Sequence, residues 1–115
     1  MDKNTFRNYE KIRRKKEYLT VYQKGTRSYS DSFTIIVHKH DTGSRKMGIT
    51  VSKKVGNAVR RNRIKRLLRE FFRLHKLRLP ESQDIVIVGK KGIPRLTYQQ
   101  VCAELENLLV NKVNE

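Results

Sequence analysis

Arg60, Arg61, Asn62 and Arg63, followed by Lys65, Arg66, Arg69 and Arg73, gather the densest set of interacting side chains in this chain into one run behind Gly56 and Asn57. Their chemistry is binding rather than bond making. Guanidinium groups fork onto phosphate oxygens, ammonium groups act as point charges, and a glycine turn that opens a helix bares backbone amides to an anion. A rigid row of cations of this kind suits a polyphosphate, and few tasks other than nucleic-acid binding need one.

Groups that could cut or join bonds are scattered by comparison. Ser52, Asp31 and the histidines offer a nucleophile, an acid and bases, but no local signature joins them into a triad. Asp31, Asp41 and Asp84 fall in separate turns or strand edges, so no carboxylate pair for two-metal hydrolysis is visible. His38, His40 and His75 show no metal-ligand spacing with Cys102, and there is no cysteine pair, so spacing predicts no zinc site. The single cysteine excludes an intrachain disulfide and fits a reducing, cytoplasmic compartment.

The basic run must be a helix to act as a row. Ile64, Leu67, Leu68, Phe71 and Phe72 repeat at i, i+3, i+4, i+7 and i+8, one apolar stripe on a helix of about 3.6 residues per turn. Asn62, Lys65, Arg66, Arg69, Arg73 and Lys76 then fall on the opposite side, with Arg61 and Arg63 flanking them. The stripe is expected in the core and the cations in water, because unpaired Lys and Arg are almost never buried.

Length and charge set the frame. The 115 residues are expected to form a single domain spanning 1–115, with the polar stretch Met1 to Asn8 too poor in apolar side chains to fold by itself and expected to be flexible. Twenty-seven Lys and Arg against eleven Asp and Glu give a net charge of +16. Arg45 to Arg78 alone holds thirteen basic residues and one acidic, and Met1 to Arg27 nine and three, so two parts of the chain build the basic surface. No apolar stretch approaches the ~18 residues that span a membrane, and the N-terminus lacks the apolar core of a signal peptide.

Around the basic helix the pattern is α+β. Lys11 to Gln23 reads as a first helix ended by Gly25, with Ile12 and Leu19 on one side and Tyr18 and Tyr22 one turn apart. Phe33 to His38 and Lys46 to Ser52 alternate as strands, joined by a turn at Asp41, Thr42 and Gly43. Pro80 stops the helix, and Asp84 to Val88 supplies a short apolar strand expected at the centre of the sheet. Gly89 to Pro94 is a basic loop. Thr97 to Gln100 is a capping box that opens a final helix carrying Val101, Cys102, Leu105, Leu108 and Leu109.

The run Val51-Ser52-Lys53-Lys54-Val55-Gly56-Asn57-Ala58-Val59-Arg60-Arg61-Asn62-Arg63-Ile64-Lys65-Arg66 strongly resembles the signature of the protein subunit of bacterial ribonuclease P, whose hallmark is an Arg-Asn-Arg helix. Length, the two-tyrosine first helix and the order of elements agree with that family along nearly the whole chain. The resemblance implies a ribosomal protein S5 domain 2-like α/β sandwich of order α-β-β-α-β-α, with a left-handed βαβ crossover where general rules would give a right-handed one. It also implies that chemistry belongs to an RNA subunit with bound magnesium ions, which removes the 5′ leader of precursor tRNA. The protein by itself would bind no cofactor, carry no catalytic residue and require no protein partner or membrane.

Two surfaces would carry that role. Arg61, Asn62, Arg63, Lys65, Arg66, Arg69 and Arg73, extended by Lys53, Lys54 and Asn57, would lie against the catalytic RNA. Tyr18 and Tyr22, with Phe33 and Ile36 on the adjacent strand, would line a cleft between the first helix and the sheet for the single-stranded leader, since unpaired bases stack on aromatic rings. At Ile36 some family members carry tyrosine, so one contact is expected to be missing here. The main rival is a structural ribosomal RNA-binding protein, which would share the charge and the fold. A DNA-binding regulator is a weaker rival, as no helix-turn-helix or zipper pattern is present.

Overall fold

Phe33, Ile35 and Ile36 are all buried, although alternation along a strand sends Ile36 to the face opposite the other two. A strand buried on both sides belongs to a sheet covered on both faces. The computed structural model, which describes residues 11–41, 43–79 and 82–110, shows that arrangement. Met1 to Asn8, Thr42 and Pro80, on which expectations were placed, lie outside the described residues.

The elements run α1 (Lys15–Lys24), β1 (Thr26–Tyr29), β2 (Phe33–Lys39), β3 (Arg45–Thr50), α2 (Ala58–His75), β4 (Gln83–Gly89) and α3 (Tyr98–Leu105). A 3₁₀ turn, Lys76–Arg78, extends α2, and a π-helical turn, Glu106–Val110, extends α3. The four strands lie in the order β1-β2-β4-β3. β2 runs antiparallel to β1 and to β4, while β3 and β4 are parallel and joined through α2. β4 is therefore interior, as its apolar run demands.

Register assigns the faces. Ile35 pairs with Ile87, and Ile87 with Ile49; on the other side of the pleat Ile36 pairs with Val86, and Val86 with Gly48. The first face carries Phe33, Ile35, Met47, Ile85 and Ile87 into the main core beneath α2 and α3, with Ile64, Leu68, Phe71, Phe72, Val101 and Leu105. The second face packs Ile36 and Val86 against Val21 of α1 and Ile12. The molecule is an α+β sandwich with one helix on one face and two on the other.

The structure adds one strand to the expected order. Thr26 to Tyr29 has no apolar alternation and stays largely exposed, so nothing in its composition marks it; β1 forms because β2 offers it an edge across a tight turn at Ser30. The first helix also begins later than expected, at Lys15. β3 is one edge of the sheet, and Lys11 bridges to Met47 there while the Ile12 amide donates to the Met47 carbonyl at 3.1 Å. Ile12 is buried by that route, whereas Leu19, expected beside it, is exposed.

Gly25 ends α1, but not by a left-handed turn, since its φ is −77°. A Cβ there would lie 2.6 Å from Ile36 Cγ2, so the glycine lets the chain cross directly over β2.

The capping box opens α3 as read from sequence. Thr97 Oγ1 accepts from the Gln100 amide at 3.2 Å, and Gln100 Oε1 accepts from the Thr97 amide at 2.8 Å. Thr97→Ala is expected to lower stability by about 1 kcal/mol, the usual worth of an N-cap. Denaturant unfolding of the two proteins measures it, and an unchanged midpoint would contradict the assignment.

Candidate nucleic-acid interface

In α2 the apolar stripe and the cations separate as the period requires. Ile64, Leu68, Phe71 and Phe72 are buried, Leu67 is half-buried, and Asn62, Arg66 and Arg69 are exposed on the far side. Arg61, Arg63, Lys65 and Arg73 are half-buried along the flanks, and the Arg61 Nε is buried with no hydrogen-bond partner among the described residues. Glu70, the one acidic residue of the helix, pairs with Arg73 and removes that charge from the free row. The row that remains has no internal counter-charge.

The head of α2 is built for exposure. Asn57 Oδ1 accepts from the Arg60 amide at 2.9 Å, so Asn57 acts first as the N-cap, and its expected RNA contact is limited to the rest of its exposed side chain. Lys53 and Lys54 are exposed in the turn before it. At the other end Lys76 departs from expectation. It is 5% exposed, because the helix tightens to a 3₁₀ turn at that residue and rotates it off the charged face.

Two cations lie beside this row: Arg60, in the basic run but outside the expected contact set, and Arg95, which sequence reasoning passed over. Arg60 and Arg95 line a cavity of about 280 Å³ with Asn57, Arg63, Ile64, Pro94 and Leu96, where the loop after β4 meets the head of α2. The loop was legible as basic, but only tertiary packing brings Arg95 to the helix.

The tyrosines occupy the opposite face of the sheet. Tyr18 and Tyr22 lie with ring centroids 6.4 Å apart, tilted by 39°, over β3. Tyr18 rests on Gly48, where a Cβ would meet its ring at 2.7–2.8 Å, and the Tyr22 hydroxyl is 3.4 Å from Thr50 Oγ1. Burial raises the Tyr18 phenol above its ordinary value, opposed by a hydrogen bond with the Ile49 backbone. It is therefore neutral at physiological pH and adds no charge to repel a phosphate. Both residues are half-buried.

Phe33 and Ile36 do not join them as expected. Phe33 is fully buried on the α2 and α3 face, because the pleat turns it away from α1, and it lines no cleft. Ile36 does face α1 but is 2% exposed beneath Val21, so it supports the tyrosine helix from below without a surface to offer. Among the described residues, a cavity of about 470 Å³ beside α1 is lined instead by Glu17, Thr20, His38, His40, Ser44, Lys46 and Asp84.

Taken together, a helix that shows water a row of cations and an aromatic pair on the far side of the same sheet define a nucleic-acid-binding α+β protein. Among the described residues no helix is long and apolar enough to cross a membrane. The family model for Ribonuclease P matches residues 6–113, and the chain belongs to that family. The ribonuclease P protein component of Syntrophus aciditrophicus is 50% identical over 112 residues, covering 97% of this chain and 94% of that protein. The component from Desulfovibrio desulfuricans is 48% identical over 103 residues, covering 86% and 79%. Among solved structures, the RNase P protein of Thermotoga maritima superposes with a TM-score of 0.79 at 32% identity, over 87% of this chain and 94% of that one. The Staphylococcus aureus RNase P protein gives 0.78 at 30%, over 92% and 95%. The chain is thus a protein subunit of ribonuclease P, an endoribonuclease of tRNA 5′ processing, and its partner is the ribonuclease P RNA.

Proposed function

We propose that α2 grips the catalytic RNA of ribonuclease P in the bacterial cytoplasm, and that the tyrosine face of α1 takes the single-stranded 5′ leader of precursor tRNA. The observation that carries the first half is the exposed row Asn62, Arg66 and Arg69, backed by the buried Ile64, Leu68, Phe71 and Phe72 and set in a segment with thirteen basic residues and one acidic. Phosphates of a folded RNA supply the missing counter-charge. Arginine forks hold the oxygens, Lys53, Lys54, Lys65 and the flanking Arg61 and Arg63 extend the contact, and condensed counterions are released.

Neutralising phosphates in this way lowers the salt that the RNA needs to fold. The hydrolysis itself belongs to the RNA and its magnesium ions. The described residues assemble no set of hard oxygen ligands suited to magnesium, and their one cluster of candidate ligands mixes an imidazole and a thiol with a single carboxylate. On this reading the chain binds and orients the RNA partners.

Tyr18 and Tyr22 support the second half. Each is only half-buried over β3, and β3 leads directly into the turn carrying Lys53 and Lys54. A leader strand stacked there would pass from aromatic to basic surface without leaving the edge of the sheet. Tyr18→Ala is expected to cost roughly 1–3 kcal/mol of affinity for a precursor tRNA in the reconstituted holoenzyme, and to leave affinity for mature tRNA unchanged. Tyr18→Phe, which keeps the ring, should bind both as the parent does. Equal weakening of the two ligands by Tyr18→Ala would assign the residue to packing on Gly48 and overturn the leader reading.

A further inference from the structure

Spacing along the chain sets Cys102 and Glu106 one helical turn apart but does not relate them to His75, and the fold brings one ligand atom of each of the three to within 4.8 Å of the others. Cys102 and Glu106 stand one turn apart where α3 passes into its π-helical turn, and His75 is the last residue of α2, which packs beside them.

The histidine is held in an orientation with one chemical consequence. Its Nδ1 lies 2.9 Å from the Phe71 carbonyl, which can only accept, so Nδ1 carries the proton. The ring is further fixed by stacking on Phe71, with centroids 4.3 Å apart and planes 15° from parallel. In the neutral ring Nε2 then presents a lone pair, and it faces Glu106 Oε1 at 3.0 Å. Two lone pairs at that distance repel unless something positive stands between them. A metal ion answers this directly: a ligating imidazole typically donates its other N–H to a backbone carbonyl, as His75 does.

We propose that His75, Cys102 and Glu106 bind a transition-metal ion of the zinc class between the end of α2 and the last turns of α3. Imidazole, thiolate and carboxylate together suit zinc better than magnesium or calcium. His75 is 12% and Glu106 34% exposed at the side chain, so the ion reaches the site from solvent and a water completes the fourth position. On binding, the Cys102 thiol releases its proton to water and the sulfur bonds the metal. The ion would pin α3 to the end of the helix that carries the basic row. Nothing in this depends on how RNA is bound.

Cobalt(II) and zinc(II) titrations of the full chain test the site, because Cys102 is the sole cysteine and any thiolate-to-cobalt absorption reports it alone. One equivalent of cobalt should give that absorption, zinc should displace it, and saturating zinc should raise the thermal midpoint. Cys102→Ser and His75→Ala should each weaken zinc binding by about 100-fold or more, beyond the range of outer-shell changes. A His38→Ala/His40→Ala variant should bind zinc as the parent does. Absence of the absorption at saturating cobalt, or zinc affinity unchanged in both ligand variants, overturns the proposal and leaves His75 and Glu106 as an ion pair bridged by a proton.

Discussion

Arg66→Ala with Arg69→Ala is expected to lower affinity for the ribonuclease P RNA by roughly a hundredfold, taking about 1.5 kcal/mol for each lost charge-assisted phosphate contact. Both side chains are exposed and stand opposite the buried stripe, so the thermal midpoint should stay within the small range of surface substitutions. The salt dependence is the sharper reading. Removing two phosphate contacts should flatten the slope of log affinity against log salt by about 1.4 to 1.8. Filter binding over a range of salt concentrations measures both quantities. A lower affinity with an unchanged slope would mean that the arginines touch something other than phosphate, and a midpoint shift as large as that of a core truncation would mean that they hold the fold.

The opposite side of the same helix should behave in reverse. Phe72 is fully buried in the main core, among the side chains that α2 sends under the first face of the sheet. Phe72→Ala is expected to cost about 3–5 kcal/mol, from lost transfer energy and from the cavity left behind. For a domain of this size that is a large share of total stability. Urea unfolding should show the midpoint fall while the slope holds. RNA affinity of the fraction that remains folded should be close to that of the parent, since no cation is moved. A midpoint within about 0.5 kcal/mol of the parent would mean that the helix is not seated as described.

These two results divide α2 into a seat and a grip, and that division was legible from residue order alone. Apolar residues from Ile64 to Phe72 and cations from Arg61 to Arg73 alternate at a period that only a helix satisfies, and a helix places them on opposite sides whatever it packs against. The capping box at Thr97 was legible for the same reason, because its partners lie three residues apart. Local spacing decides both, so distant parts of the chain cannot alter them.

Phe33 shows where such reading stops. Phe33 and Ile36 are both apolar in a strand whose two faces are both buried, and alternation separates their sides without saying which side receives α1. Only strand order and helix placement decide it, and they put Phe33 in the core. Lys76 failed for a different reason: the projected helical face assumes about 100° per residue, and the chain tightens to a 3₁₀ turn where that residue falls. β1 carries no apolar signal at all, since a short exposed strand is made by its neighbour's free edge.

By itself, then, the sequence determined the segregated basic helix, the α+β order around it, and the family to which both point, because each rests on contacts within a few turns or on a long run of residue identities. The tertiary structure alone decided what lies together across the sheet. It seated Tyr18 on Gly48, drew Arg95 to the head of α2, withdrew Phe33 and Ile36 from the surface, and closed His75, Cys102 and Glu106 into one cluster. These are pairings between distant segments, set by how two helical faces and a sheet bury the most apolar surface at once, and no local period encodes that choice.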